Sequence, residues 1–396
     1  MIDFYLISVL VFFAFLAIII YRDRKKIQVT SYIVFMRRTK KFRSFIDRTA
    51  KKSPRVWKLF GTTAVIASFV LMGIGTFLLV LGTTSILSKQ ITEPAASFVL
   101  PTVTSQTVSA PGVIGIPFWF WIIAVAIVIM PHEFMHGVLA RAENIRLKSV
   151  GLLLFLVIPG AFVEPDEKQL KRKKLMPKLR VFAVGSFINV LIGIALLLLM
   201  NQAWASNVQP GLLITSVNQT SPAYESGLRP GMIIQSIENS KMHMNFWDYS
   251  FLVLKVPGAI SEKMPEYAGH IMIFSSLAKF KPNETVTMKI DGIERNFTFG
   301  ESPFIEGFPY MGINTSIAAK DTTVFSFIYP LFAFVWILSF FVGIFNMMPI
   351  YPLDGGLIIE SVSEKFSRKH GKKISRIITY VLLFVLIFNF IGPYII

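Results

Sequence analysis

The chain contains no cysteine. Disulfides, thiolate nucleophiles and cysteine-ligated zinc are therefore excluded, and any metal must be held by histidine and carboxylate. Acidic residues are also short, with 23 Asp and Glu against 40 Lys and Arg and a formal net charge of +17. The shortage is local. From Arg22 to Lys58 only Asp23 and Asp47 oppose a dense basic set, and Lys168–Arg180 and Lys365–Arg376 are similarly basic. Conversely, the linker Ser88–Ile116 is rich in Ser, Thr and Pro and has Lys89 as its one basic residue. What the chain has in excess is apolar surface. It is 53% hydrophobic with a mean hydropathy of +0.59, above the soluble globular range.

Long apolar runs predict six spans: Phe4–Ile20, Leu59–Leu87, Pro117–Ala140, Val181–Met200, Phe325–Met348 and Ile377–Ile396. The first lacks a basic leader and an A-x-A site and is followed by Arg22, Arg24, Lys25 and Lys26, so it reads as a retained helix. By the positive-inside rule the three basic segments face the cytoplasm and the Ser/Thr-rich linker faces out; six alternating spans satisfy every assignment. Because the basic runs abut spans, they read as topogenic charge meeting anionic membrane lipids, and no nucleic-acid partner is expected.

One apolar run ends in His132-Glu133-Phe134-Met135-His136. On a helix this spacing puts both imidazoles on one face, one turn apart, where they can share a zinc ion, with Glu133 placed to take a proton from water at the open position. Ionisable groups in a span are costly, which makes the cluster a functional candidate by default. The topology tests it. The third and fifth spans both run inward, and the fifth ends in Asn346-Met347-Met348-Pro349-Ile350-Tyr351-Pro352-Leu353-Asp354-Gly355-Gly356. Asp354 thus reaches the cytoplasmic depth of the histidines, and a His, His, carboxylate set leaves one position for water, as in a catalytic site. Here Pro349 and Pro352 break helical continuity, and Gly355 and Gly356 permit unusual backbone angles. Leu147–Glu164 is too short to span as a helix and is expected to form a re-entrant hairpin or embedded strand pair, turning at Pro159-Gly160.

Residues 201–323 form the soluble region. Gly211–Val217 reads as a strand, Ser221-Pro222-Ala223 opens a short helix, and Ser226–Ile234 gives a turn and a strand; Thr285–Ile290 and Arg295–Phe299, joined at Asp291-Gly292, read as a β-hairpin. His243 and His270 are expected to be surface residues rather than ligands of the metal, since topology places them across the membrane from it.

Together, His132–His136 in a span, Asn346-x-x-Pro349-x-x-Pro352-Leu353-Asp354-Gly355 closing a later one, and Gly185-Ser186-Phe187-Ile188-Asn189-Val190-Leu191-Ile192-Gly193 between them resemble the site-2 protease family of intramembrane zinc metalloproteases. The resemblance implies a mainly α polytopic membrane protein with about six transmembrane helices around a three-helix catalytic core. It implies Zn2+ as cofactor, held by His132, His136 and Asp354, with Glu133 as acid/base and Asn346 as an oxyanion donor. Asn189, Gly185, Gly151, Pro352 and Gly355 are its substrate-binding or supporting residues. The soluble region resembles a PDZ domain, through Ser221-Pro222-Ala223 and Gly227-Leu228-Arg229-Pro230-Gly231, with His243 to Tyr267 an insertion. The expected organisation is 1–116, two helices with a basic loop and external linker; 117–200, the first part of the core; 201–323, an inserted extracytoplasmic α+β PDZ-like domain; 324–360, the last core helix with the Asp ligand; and 361–396, a basic loop and final span. The implied substrates are single-pass membrane proteins, and an upstream site-1-type protease is a further partner that the resemblance suggests, with the need for prior cleavage left open. The implied location is a prokaryotic plasma membrane, with the active site toward the cytoplasmic leaflet. Two alternatives stay open: a metalloprotease using Glu164 or Glu360 as third ligand, and a zinc-binding scaffold or transporter without catalysis.

Overall fold

The computed structural model describes residues 4–25, 27–30, 34–155, 158–255, 264–321 and 327–396. The chain divides into two compact units: Met1–Ser105, Ala110–Ala195 and Phe334–Ile396 in the first, Gln106–Ser109 and Leu196–Ala333 in the second. In chain order the helices are α1 (Phe4–Asp23), α2 (Lys40–Lys52), α3 (Pro54–Leu87), α4 (Phe118–Ala142), α5 (Glu167–Arg172), α6 (Leu175–Asn207), α7 (Pro222–Glu225), α8 (Phe246–Lys255), α9 (Met264–Leu277), α10 (Tyr329–Asn346), α11 (Asp354–Phe366) and α12 (Gly371–Ile391). The first seven strands are β1 (Ile27–Thr30), β2 (Val34–Arg38), β3 (Phe98–Thr102), β4 (Val108–Ala110), β5 (Val113–Pro117), β6 (Leu147–Phe155) and β7 (Ile158–Pro165). There follow β8 (Val208–Val217), β9 (Ile233–Ile237), β10 (Ser240–Lys241), β11 (Thr285–Ile290), β12 (Ile293–Thr298), β13 (Gly300–Glu301), β14 (Pro309–Tyr310) and β15 (Ile313–Ala319).

The protein is mainly helical, with small sheets. Among the described residues six helices are long and apolar enough to cross a membrane: α1, α3, α4, α6, α10 and the segment Gly371–Tyr394 containing α12. Each contains or overlaps an apolar run read from the sequence. The helices extend past several runs into polar flanks, because backbone hydrogen bonding continues where hydropathy stops. The first part of the predicted Phe325–Met348 span lies outside the described residues.

In the first unit, α4 is gripped from two sides. Ile46 of α2 sits where a Cβ on Gly137 would come within 2.9 Å, Phe42 and Phe45 flank Phe134, and Asp47 pairs with Arg141. On another face Arg180 of α6 donates to Glu143 at 2.8 Å and to Thr62 of α3 at 3.0 Å. A buried carboxylate is retained here because its charge is met by a cation and not by lipid. At the other end of α3, Asn389 of α12 donates to the Leu79 carbonyl and the Thr83 hydroxyl. Helices α6 and α10 cross closely: a Cβ on Gly193 would stand 3.1 Å from the Trp336 carbonyl, and one on Gly343 would stand 2.9 Å from the Ser186 carbonyl. Small residues at such crossings let backbones approach where lipid supplies no hydrophobic drive.

Strands β1-β2-β6-β7 form one antiparallel sheet in that order, with β7 at its edge. A strand pair is present where the sequence indicated one, but the reversal differs. Pro159 and Gly160 pair with Leu154 and Leu153 inside the β6–β7 ladder, so they are strand residues and not the turn that the sequence indicated. An edge strand accommodates Pro159 because a proline lacks only the N–H that a ladder on its outer side would need.

In the second unit the sheet runs β12-β11-β9-β8-β15. Leu212, Ile214, Ile234, Ile237, Met288 and Phe297 are buried in its core. Asp291 and Gly292 both adopt positive φ, the pairing a two-residue hairpin turn requires, and they join β11 to β12 as the Asp-Gly signal indicated. Trp204, Phe246, Tyr249 and Tyr329 cluster, and the indole of Trp204 donates to the Met244 carbonyl at 2.6 Å.

Candidate metal centre and active site

Helix α4 places His132 and His136 one turn apart, with Nε2 atoms 3.1 Å from each other. Asp354 arrives from a different segment. Helix α10 stops at Asn346, the chain turns through Pro349 and a cis Tyr351–Pro352 bond, and α11 begins at Asp354 itself. A carboxylate in the first turn of a helix is favoured by the unpaired N–H groups there. Its Oδ2 lies 3.4 Å from His132 Nε2 and 3.3 Å from His136 Nε2. Among the described residues these three form a group able to hold a metal ion.

The donor set fits zinc. Ligand bonds of about 2.0–2.1 Å in a tetrahedron put neighbouring ligand atoms roughly 3.3–3.4 Å apart, close to the three separations observed. The ring nitrogens facing away agree with this use. His136 Nδ1 is 2.6 Å from the Val181 carbonyl, an acceptor, so the proton resides on Nδ1 and the Nε2 lone pair is free. His132 Nδ1 is 3.1 Å from the side-chain nitrogen of Asn189, whose buried Oδ1 has no partner among the described residues. A half-turn of that amide sets Oδ1 against His132 Nδ1–H, pairing the orphan acceptor and freeing the second Nε2 as well. Ser186, one helical turn before Asn189, donates to Asp354 Oδ2 at 3.4 Å. Space completes the argument: a Cβ on Gly185 would lie 2.8 Å from His132 Nε2 and closer still to His136 Nε2, so only glycine leaves the cradle open.

A cavity of about 530 Å³ opens beside the cluster, lined by His132, Glu133, His136, Asn189, Asn346 and Asp354. Pro352 and the β7 residues Ala161 and Val163 line it too. Glu133 Oε2 accepts from the Val163 main-chain N–H at 3.2 Å.

Other residues singled out in the sequence sit elsewhere. Gly151 is in β6, where the Arg37 carbonyl of β2 passes over it, and it does not line the cavity. Gly355 and Gly356 adopt helical, not unusual, angles. Their purpose is close approach, since a Cβ on Gly356 would stand 2.6 Å from the Ile350 carbonyl and one on Gly355 would strike that of Met347. Glu164 is occupied by Ser149 at 2.5 Å and Lys148 at 3.5 Å, and Glu360 lines a separate cavity. Neither they nor His243 and His270 join the group of His132, His136 and Asp354. Sequence reasoning missed the contact of Ser186 with Asp354, although its spacing of three from Asn189 puts both on one helix face. It also missed the Val163 N–H, which no side-chain pattern reveals.

The family model for peptidase family M50 matches residues 120–389, more than half of the chain and the whole of this site. The chain belongs to peptidase family M50. Members of that family are zinc metallopeptidases, the chain has six candidate membrane spans among its described residues, and the His132, His136 and Asp354 group is the candidate site for the ion. The chain is also similar to the uncharacterized protein MJ0971 of Methanocaldococcus jannaschii, at 27% identity over 243 residues, which are 61% of this chain. That match spans 56% of the relative's own length.

Proposed function

We propose that this M50 peptidase cleaves transmembrane segments of single-pass membrane proteins, with His132, His136 and Asp354 holding zinc and Glu133 moving the proton. The observation that carries the reading is the convergence of three donor atoms from two separate segments, 3.1 to 3.4 Å apart, beside Glu133 in one cavity. Zinc so held supplies a Lewis acid that polarises the scissile carbonyl and acidifies water. Glu133 accepts the proton of the attacking water and returns it to the leaving amine. The amide of Asn346, lining the same cavity, donates to the oxyanion. Peptide-bond cleavage needs an unwound substrate, and the edge strand β7 beside the cavity can receive one by main-chain pairing.

Charge distribution supports an active site toward the cytoplasmic leaflet of the plasma membrane, with the second unit outside as a PDZ-like insertion. For that unit, exclusion is favoured over capture. Helix α9 lies on the edge strand β15 so closely that a Cβ on Gly269 would stand 2.7 Å from the Thr315 carbonyl and from Ser316 Cα, and Thr315 to Ala318 are buried, which supports a covered strand. The unit therefore serves as a size filter against bulky external domains, which an upstream protease must first remove.

The test uses the full chain in liposomes with a single-span substrate. Glu133→Gln is expected to retain zinc and abolish cleavage; undiminished cleavage in a zinc-loaded variant overturns the assignment.

A further inference from the structure

We infer that β7 offers a substrate one residue, Ala161, for two-way main-chain pairing, while the other outward N–H, that of Val163, is reserved for orienting Glu133. The inference rests on β7 being the substrate-receiving strand, as proposed above.

In an antiparallel ladder, residues alternate between turning both N–H and C=O toward the neighbouring strand and turning both away. Two contacts set the phase here. Val163 points its N–H away from β6, to Glu133 Oε2 at 3.2 Å. Its partner across the ladder, Val150, points its carbonyl away from β7, accepting from Thr39 N at 2.8 Å. The Val150–Val163 pair is thus unbonded across the ladder, and alternation makes Leu152–Ala161 and Leu154–Pro159 unbonded as well. The outward residues of β7 are Pro159, Ala161, Val163 and Pro165. Both prolines lack an N–H, and the N–H of Val163 is taken. Among the described residues Ala161 alone on β7 presents an outward donor without a partner, together with its carbonyl, and it lines the cavity that holds the metal ligands.

Two consequences follow. The main-chain donor stands at one place on β7, so the substrate residue that faces Ala161 in the productive complex lies a constant number of residues from the bond cleaved. Second, a carboxylate with Oε2 pinned by a main-chain N–H keeps Oε1 as the oxygen that moves the proton. Val163 is then a positioning residue acting through Glu133.

Proline replacement separates the two roles, because neither N–H belongs to the ladder with β6. In zinc-loaded full-length protein in liposomes, Ala161→Pro is expected to raise KM by about five- to tenfold, the worth of one main-chain hydrogen bond, with kcat little changed. Val163→Pro is expected to leave KM unchanged and lower kcat by at least about tenfold. Equal or exchanged effects overturn the inference. A milder variant addresses register without disturbing the strand. The chain has no cysteine, so Ala161→Cys supplies its sole thiol for disulfide trapping against substrates carrying one cysteine at successive positions. One dominant position supports fixed register, and an even spread along the substrate refutes it. If no position cross-links and both proline variants behave as wild type, strand addition at β7 fails altogether. The protease reading then still stands or falls on Glu133→Gln.

Discussion

Gly185 and Gly269 use the same device for opposite ends. Each is a helical glycine whose missing Cβ lets another part of its own unit come within a side chain's breadth. In the first unit, Gly185 keeps a space open, and two imidazole nitrogens and a carboxylate converge in it. In the second, Gly269 lets α9 close on the backbone of β15 at Thr315 and Ser316, so a space is removed. The edge strands differ accordingly: β7 faces a cavity, whereas β15 is covered. Close packing at a glycine therefore says nothing of function until what approaches is known. Polar ligands approaching make a site, and backbone approaching makes a seal.

The comparison can be broken at several points, in order of expected effect. The largest is Gly185→Ala. Its methyl group displaces both imidazoles, and zinc affinity, measured by competition with a chelator, is expected to fall by about a hundredfold or more; unchanged affinity would show that the cradle is not needed. Next, Asn189→Leu removes the acceptor for His132 Nδ1–H and should cost about 10- to 100-fold in zinc affinity, while Asn189→Asp, which retains an acceptor, should lose less. If the two variants behave alike, the amide is not orienting His132. On the other side of the comparison, removing residues 205–318 should allow cleavage of substrates with intact external domains, which the full chain cuts at least about tenfold more slowly. Loss of cleavage of trimmed substrates instead would favour capture. The smallest effect is expected of Gly269→Leu, which loosens α9 from β15 and should raise binding of a fluorescent extended peptide by a few-fold, roughly the worth of one hydrogen bond. Strong binding by the wild-type chain would show that the edge is not sealed.

Much of this was legible in one dimension. Apolar runs mark the six spans because a bilayer demands length and hydropathy of each helix alone. The Asp291-Gly292 turn is local chemistry, and the His132, Glu133, His136 spacing carries its geometry with it because helical period is constant. The reversal of the β6–β7 hairpin was less legible. Pro159-Gly160 is a turn signal in general, yet an edge strand tolerates both residues, and edge position is a property of the sheet. The roles of Gly355 and Gly356 were misread for a related reason. Glycine permits both unusual angles and close approach, and only the neighbouring carbonyls decide which is used.

By itself, then, the amino-acid order determined the membrane class, the number of candidate spans, the absence of thiol chemistry and the two candidate metal-binding histidines, since each follows from residue type and local spacing. Tertiary structure alone decided that Asp354 and not Glu164 or Glu360 joins those histidines, that Ser186 and Asn189 stand behind the ligands, that Val163 holds Glu133, and that one strand edge is open while another is covered. The last two depend on which backbone groups remain unpaired after folding. Every residue but proline carries the same N–H and C=O, so no sequence distinguishes a free pair from a satisfied one.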